Sequence, residues 1–297
     1  MRAYLTGGSG FVGAWLLRHL TDVGDTTFAP GPETDVTDLG LLGADMAAAS
    51  PDVVYHLAAL THVGQSWNEP AETFRVNAIG TLNTLEAAER CEVPPVVVLV
   101  SSAEVYGPAS GDEALDEHAE LRPVTPYAAS KVAAEFLGVQ AFLGRGLRVV
   151  RARPFNHVGP GQSENFVVSA LARRMVEAEL SKTATVRVGN LAASRDFTDV
   201  RDVVRAYRLL ATDGVPGEVY NVCSGRAISI AELAKLMAGL LSYEVELVED
   251  PALFRPVEVP VLLGDASKLV AATGWRPTIE LSRTLSDVLD SWRELLS

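Results

Sequence analysis

The chain alternates short apolar runs with longer stretches of helical spacing. Residues 2–6 (Arg-Ala-Tyr-Leu-Thr) read as a short buried strand, and apolar positions at helical spacing follow across 14–20. A second strand is plausible at 26–30. Runs at 53–57, 96–100 and 147–150 are short, rich in β-branched residues and bounded by Pro or Gly, as strands buried on both faces of a parallel sheet should be. Between them the spacing predicts helices at about 72–91 and 126–144. The expected fold class is α/β, a doubly wound parallel sheet with helices on both faces. From about 155 the pattern changes. Helices near 165–180, 199–212 and 229–241 alternate with short strands such as 185–188 and 218–221, prolines cluster at 251–260, and a helix near 281–295 closes the chain. This predicts a first domain over 1–155 and a second, smaller α/β domain over 156–297, the chain crossing back to the first around 190–215. Ligands are expected in the cleft between them, at the carboxyl ends of the strands.

The glycines after the first strand give that cleft a chemistry. Gly7-Gly-Ser-Gly10-Phe-Val-Gly13 stands between a strand and a helix, the context in which such a cluster binds a dinucleotide. Gly7 permits the tight turn, Gly10 lets backbone approach a pyrophosphate, and Gly13 lets helix pack on strand. The helix start, with Phe11 and Val12, offers unpaired N–H groups to phosphate. The first domain is therefore expected to be a dinucleotide-binding Rossmann domain. After 26–30 neither an acidic residue for a ribose 2′-hydroxyl nor an arginine for a 2′-phosphate stands clearly in place. Pro30-Gly-Pro32 occupies that spot, with Glu33 beyond it, and no Lys or Arg lies from 19 to 74, which leans toward NAD(H) over NADP(H). Asp35-Val36 could meet the adenine, or Asp35 could cap a turn. At 56–59 (His-Leu-Ala-Ala) the small residues Ala58 and Ala59, next to Leu57, would let a cofactor pass close to backbone. His56 by itself reads as a core histidine.

Composition narrows the partners. With 297 residues, 48% hydrophobic and 21% charged, the chain can bury a substantial core. A formal net charge of −13 argues against a nucleic-acid binder, which needs a basic footprint. No apolar run reaches the ~18 residues of a membrane span. Met1 leads straight into the first strand without room for a signal peptide. Cys91 and Cys223 are far apart and read as reduced core thiols of a cytoplasmic protein. The five histidines are scattered, so no metal is expected.

Tyr127 lies four residues ahead of Lys131 in Pro126-Tyr-Ala-Ala-Ser-Lys131. On a helix this stacks a phenol and an ammonium on one face. The positive charge would lower the tyrosine's ordinary value near ~10 and ready it for proton transfer; a solvated helix face carries the same spacing more often. Ser102 and Glu104 follow the strand at 96–100 and would emerge at the sheet's carboxyl edge. Ser102 could hydrogen-bond the oxygen that Tyr127 protonates, and Glu104 could act as an acid or base.

Thr6-Gly-Gly-Ser-Gly-Phe-Val-Gly13, His56-Leu-Ala-Ala59, Ser101-Ser-Ala-Glu-Val-Tyr-Gly107, Tyr127-x-x-x-Lys131 and Arg153-Pro-Phe-Asn156 occur in this order. The chain thereby resembles the extended short-chain dehydrogenase/reductases, the NAD(P)-dependent nucleotide-sugar epimerases, dehydratases and reductases, from residue 1 to about 295. In the second half, Pro154-Phe-Asn-His-Val-Gly-Pro-Gly-Gln162, Tyr220-Asn-Val-Cys-Ser-Gly225 and Leu253-Phe-Arg-Pro-Val-Glu-Val-Pro260, with the stretch 188–202, look like the reductases of GDP-4-keto-6-deoxy-D-mannose. Thr61-His-Val-Gly-Gln-Ser-Trp67 and Asn77-Ala-Ile-Gly-Thr81 are equally similar to the GDP-mannose 4,6-dehydratases.

The resemblance implies a GDP-sugar substrate, bound NAD(H) or NADP(H), and a nucleotide-sugar-binding role for 156–297. It implies that Tyr127 is the proton donor to the sugar C4 oxygen, that Lys131 holds the nicotinamide ribose, and that Ser102 completes the triad. Asn156 would bind near the diphosphate, Arg195 and Arg255 would face the GDP phosphates, Glu258 would accept from the GDP ribose, and Arg173 would lie near the guanine. A homodimer through a four-helix bundle of the helices at about 76–90 and 127–143 is expected by the same analogy. Ala103 stands where many sugar dehydratases carry an Asp, and the dehydratases' basic loop after the second strand is missing. GDP-mannose dehydratases and the reductases alike keep only the Glu of that stretch, so it does not decide; the missing loop, with 150–200 following the reductase pattern, favours a reductase over a dehydratase, with a C4 epimerase behind them. A sensor without turnover would need a broken Tyr/Lys pair, which this chain does not have.

Overall fold

The apolar runs divide with period two between the faces of one sheet. Ala3, Leu5, Tyr55, Val98 and Val100 join one buried cluster, while Tyr4, Val54, Val97 and Leu99 join another. Alternate side chains of a strand point to opposite faces, so a run apolar at every position must be covered on both. In this computed structural model, which describes residues 1–31, 34–108, 113–250, 252 and 259–297, helices cover both.

The strands are β1 (Arg2–Thr6), β2 (Thr26–Phe28), β3 (Val53–His56), β4 (Val96–Val100), β5 (Val149–Pro154), β6 (Asn156–Val158), β7 (Thr185–Val188), β8 (Ser194–Asp199), β9 (Val219–Val222), β10 (Ala227–Ser229), β11 (Glu246–Glu249) and β12 (Val261–Leu262). The helices are α1 (Phe11–Asp22), α2 (Leu39–Ala49), α3 (Val63–Ser66), α4 (Pro70–Phe74), α5 (Gly80–Glu89), α6 (Pro126–Arg145), α7 (Val167–Ser181), α8 (Val200–Asp213), α9 (Ile230–Ala238), α10 (Ser267–Thr273) and α11 (Leu281–Leu296). A π-helical turn, Arg75–Ile79, joins α4 to α5, and a 3-10 turn, Ala103–Tyr106, follows β4.

The central sheet has the order β2-β1-β3-β4-β5-β9, and every pairing in it is parallel. Helices α1 and α8 cover one face through Leu16, Leu20, Val203, Tyr207 and Leu210. Helices α2, α5 and α6 cover the other through Leu42, Met46, Leu85 and Ala141. This is the expected doubly wound α/β fold. Chain order reverses between β1 and β3, and such a switch point opens a crevice at the carboxyl ends of the strands. Thr6 and His56 sit at those ends, side by side in register.

A third cluster gathers elements from the second half. Val168, Leu171, Ala172, Met175 and Val176 form the inner stripe of α7; Ile230, Leu233, Ala234 and Met237 that of α9; Leu285, Val288 and Leu289 that of α11. Spacings of three and four place each set on one helix face. Strand β8 pairs with β10, β12 and β6, and β7 pairs with β11.

Three sequence expectations change. The strand expected at 218–221 within the second domain is β9, which pairs with β5 as the last strand of the central sheet. The helix expected at 72–91 is three pieces, because Pro70 starts α4 and the chain widens into a π turn before Gly80. Helix α2 was not foreseen; its two glycines blur the periodicity, while Asp38 caps it by accepting from Leu41 N–H. Among the described residues no helix is long and apolar enough to cross a membrane.

Candidate active site

The glycine turn fits a dinucleotide's diphosphate. Gly7 has a φ of +74°, and a Cβ there would lie 2.7 Å from the Ala58 amide nitrogen, so any larger residue would push the two strand ends apart. At Gly13 a Cβ would collide with the Gly7 carbonyl. Helix α1 starts from Gly10 with no side-chain cap and no acid in its first turn. Its first N–H groups lack intrahelical partners by construction and would be available to a phosphate. Phe11 in that turn stacks on His157 at 6.2 Å, and Trp15 donates to the Pro160 carbonyl at 3.0 Å, so the segment after β6 closes over the turn. Val12 is the next residue of α1. Leu57, Ala58 and Ala59 follow β3, half-buried, with Leu57 N–H donating to the Thr6 carbonyl at 3.2 Å.

In the loop expected to meet an adenine, Asp35 accepts from Thr37 N–H at 2.8 Å, which holds its carboxyl below the usual range. In this structure it is a turn acceptor. Val36 is buried, and its carbonyl accepts from Asn83 at 3.0 Å. Arg75 reaches back to Thr37 and lies 3.9 Å from Asp35. The stretch without cations in sequence is therefore not without one in space. Glu33 lies outside the described residues.

The catalytic edge is built from β4 and α6. Helix α6 begins with Thr125 capping Ala128 N–H and with Pro126 in its first turn, a start that fixes the next residue firmly. That residue is Tyr127, which is buried. Its phenol lies close enough to Ser102 for that hydroxyl to draw its value down; Ser102, two residues past the end of β4, is buried and caps the 3-10 turn by accepting from Glu104 N–H at 3.2 Å. Lys131, one turn along α6, donates to the Val100 carbonyl at 2.7 Å. The structure thus brings Ser102, Glu104, Tyr127 and Lys131 to one end of one sheet.

The electrostatics correct the sequence expectation. Burial pushes the Tyr127 phenol up to about 12; the Ser102 hydroxyl draws it down and the Glu104 charge adds to the rise. Burial pushes Lys131 down to about 8, with Glu135 opposing. Desolvation disfavours both charged forms, so it outweighs the pull of the lysine that the spacing alone suggested. The result is a phenol that holds its proton at neutral pH.

Beneath the pair lies a charged cluster that sequence reasoning missed. Glu135, one turn beyond Lys131, accepts from Ser101 Oγ at 2.5 Å and from Arg153 Nε and Nη2 at 2.9 and 2.8 Å. Arg153 also donates to Tyr106 at 2.9 Å, and Tyr106 donates to Asn221 Oδ1 at 2.7 Å. The signal was the continued spacing of four from Tyr127 to Lys131 to Glu135.

The substrate candidates are less gathered. Asn156 is half-buried on β6, in register with Phe197. Arg195 on β8 donates to the Ser194 carbonyl at 2.8 Å. Arg173 on α7 is half-buried and ion-paired with Glu164 and Glu177, the surface pairing that competes with a guanine contact. Arg255 and Glu258 lie outside the described residues.

Against known proteins, the family model for GDP-mannose 4,6 dehydratase matches residues 32–288. A GDP-6-deoxy-D-mannose reductase from Pseudomonas aeruginosa is 40% identical, over 98% of this chain and 97% of its own. A GDP-6-deoxy-D-talose 4-dehydrogenase from Aggregatibacter actinomycetemcomitans is 33% identical, over 92% of each. Among solved structures, RMD from Pseudomonas aeruginosa complexed with NADPH superposes with a TM-score of 0.92 at 37% identity, over 99% of this chain and all (100%) of that one. A Thermotoga maritima UDP-glucose 4-epimerase with UDP-glucose gives 0.92 at 27% identity, over 100% of both chains. The doubly wound sheet, the glycine turn and the buried Ser/Tyr/Lys edge agree with these matches: the chain belongs to the GDP-mannose 4,6-dehydratase family of extended NAD(P)-dependent short-chain dehydrogenase/reductases.

Proposed function

We propose that this protein reduces the C4 ketone of GDP-4-keto-6-deoxy-D-mannose to GDP-6-deoxymannose (GDP-D-rhamnose), with NADH or NADPH. The observation that carries this is the buried cluster of Ser102, Tyr127 and Lys131 at the carboxyl end of β4, with Lys131 one turn from Tyr127 and tied to the Val100 carbonyl. Reduction of a ketone needs a hydride on carbon and a proton on oxygen. A nicotinamide cofactor, when bound, would supply the hydride. Tyr127 gives the proton to the C4 oxygen, Ser102 holds that oxygen, and Lys131 orients the nicotinamide ribose. Residues 1–155, with the chain returning around 190–215, serve the cofactor, and 156–297 serve the nucleotide sugar. Asn156, Arg195, Arg255 and Glu258 are its candidate contacts, and Arg173 a weaker one. Asp35 and Val36 remain candidates for the adenine.

A second reading is GDP-mannose 4,6-dehydratase. One observation favours it: the Glu104 carboxylate is near enough to Tyr127 to raise its phenol, and such a group could remove a C5 proton. The missing basic loop after the second strand and the reductase-like pattern over 150–200 argue the other way.

Purified protein offered GDP-4-keto-6-deoxymannose with NADH or NADPH should consume reduced cofactor, followed by absorbance. Conversion of GDP-mannose with no added cofactor would show the dehydratase instead. We also read the protein as a cytoplasmic homodimer joined through α5 and α6; exposed Ile79 beside α5 and exposed Phe136 and Leu143 on α6 support that face.

A further inference from the structure

We infer that His56 is a positioning residue, the centre of a buried hydrogen-bond relay that keeps the glycine-turn edge of the sheet in register with the helix that carries Tyr127. The inference rests on the reading of Tyr127 as proton donor. His56 ends β3 and is buried. Its Nδ1 lies 2.8 Å from Thr6 Oγ1, at the end of β1, and its Nε2 lies 2.9 Å from Thr81 Oγ1 on α5.

Donor counting assigns the hydrogens, since each threonine has one hydroxyl proton. Thr81 gives its proton to the Asn77 carbonyl at 2.6 Å. Its oxygen can then only accept from the ring, so Nε2 carries the hydrogen. Thr84, 3.3 Å from Nδ1, gives its proton to the Gly80 carbonyl at 2.8 Å. Thr6 is left as the donor to a bare Nδ1, and its own oxygen accepts from Ala58 N–H at 3.3 Å. One polarity runs through the whole path, and one tautomer satisfies it.

Both ends of the relay reach the site. Toward the cofactor it ends on Ala58, the backbone against which Gly7 leaves no room for a Cβ. Toward the chemistry it passes to Asn77, in the π-helical turn. Asn77 grips the Leu60 N–H and carbonyl at 2.8 and 3.0 Å and donates to Ser130 Oγ at 2.9 Å. Ser130 donates to the Tyr127 carbonyl at 2.7 Å. β1, β3, α5 and α6 are thereby joined by side chains that none of them could align through backbone pairing alone. A second proton on the ring would face the Thr6 hydroxyl. Burial and the charge of Lys131 both oppose it, and they push the imidazole down to about 3.

The test begins with nitrogen-15 long-range correlation spectra of the wild-type protein. The expected signature is an Nε2-protonated neutral ring that does not titrate from about pH 8 to about pH 5.5. An Nδ1-protonated ring, or conversion to imidazolium in that range, overturns the relay. The second arm is Thr81→Val, with His56→Gln beside it. Each folded variant should lose roughly ten- to hundredfold in kcat and in cofactor affinity, the latter read by fluorescence titration with NADPH and NADH, while KM for the ketosugar stays near wild type. Unchanged cofactor affinity and kcat in folded Thr81→Val overturns the inference. Should that variant not fold, the spectra of the wild type still decide. Failure of the reductase reading is separate: it would appear as wild-type protein without turnover whose ring signature and cofactor affinities follow the relay.

Discussion

Tyr127 and Lys131 are a pair whose spacing is plain in sequence and whose protonation is not. The burial that raises one and lowers the other depends on what covers them. Two expectations follow at this scale. Tyr127→Phe should abolish ketosugar reduction while cofactor affinity is kept, measured by turnover and fluorescence titration; retained turnover would rule out the proton donor. The reductive reaction also needs Lys131 as its ammonium. With its value near 8, kcat/KM should be flat below that pH and fall above it as the lysine loses its proton, and the residual activity of Lys131→Arg should lack this alkaline fall. His56 governs acid stability. From its ordinary 6.5 down to about 3 the unfolded chain binds a proton that the folded one refuses, so stability is full above 6.5 and is lost as pH drops through that window. The slope is at most about 1.4 kcal/mol per pH unit for one group. Urea unfolding at pH 7 and pH 5 should show a smaller acid loss in His56→Gln than in wild type.

At the scale of elements, the buried Glu135–Arg153 pair ties α6 to β5 beneath the catalytic edge. Removing Arg153 leaves the buried Glu135 carboxylate with only Arg151, 3.8 Å away, to balance it, at a cost of up to about 3–5 kcal/mol. Arg153→Met should therefore unfold at clearly lower urea, and adding Glu135→Leu should restore part of the loss; equal stability of Arg153→Met and wild type would mean the pair is solvated. The strands of the central sheet were legible because a run apolar at every position has few other uses. Helix α6 was legible from its period and its Pro126. The π turn at Arg75–Ile79 was not, because the widening depends on how Asn77 is gripped by Leu60 and Ser130 and not on any local preference of the residues in it.

For the whole molecule, exposed Phe136 and Leu143, seven residues apart on one face of α6, are the basis for the expected dimer. Phe136→Glu with Leu143→Glu should give a monomer by light scattering. A wild type that is already monomeric, or a double variant that still dimerises, would place the interface elsewhere or remove it. The acidic surface, net −13, makes the choice of face matter, because like-charged surfaces resist close approach and an apolar strip offers a way around that repulsion.

Sequence by itself determined the doubly wound sheet, the glycine turn at its first strand and the candidate Ser102, Tyr127 and Lys131, since these follow from period, turn chemistry and fixed spacing along one chain. Tertiary structure alone decided that burial pushes the phenol up instead of down, that Arg75 comes back to the loop at Asp35, and that Thr6, His56, Thr81 and Asn77 form one connected path. Each of these depends on groups distant in sequence meeting where water is excluded, and desolvation and hydrogen-bond partnership are properties of that meeting.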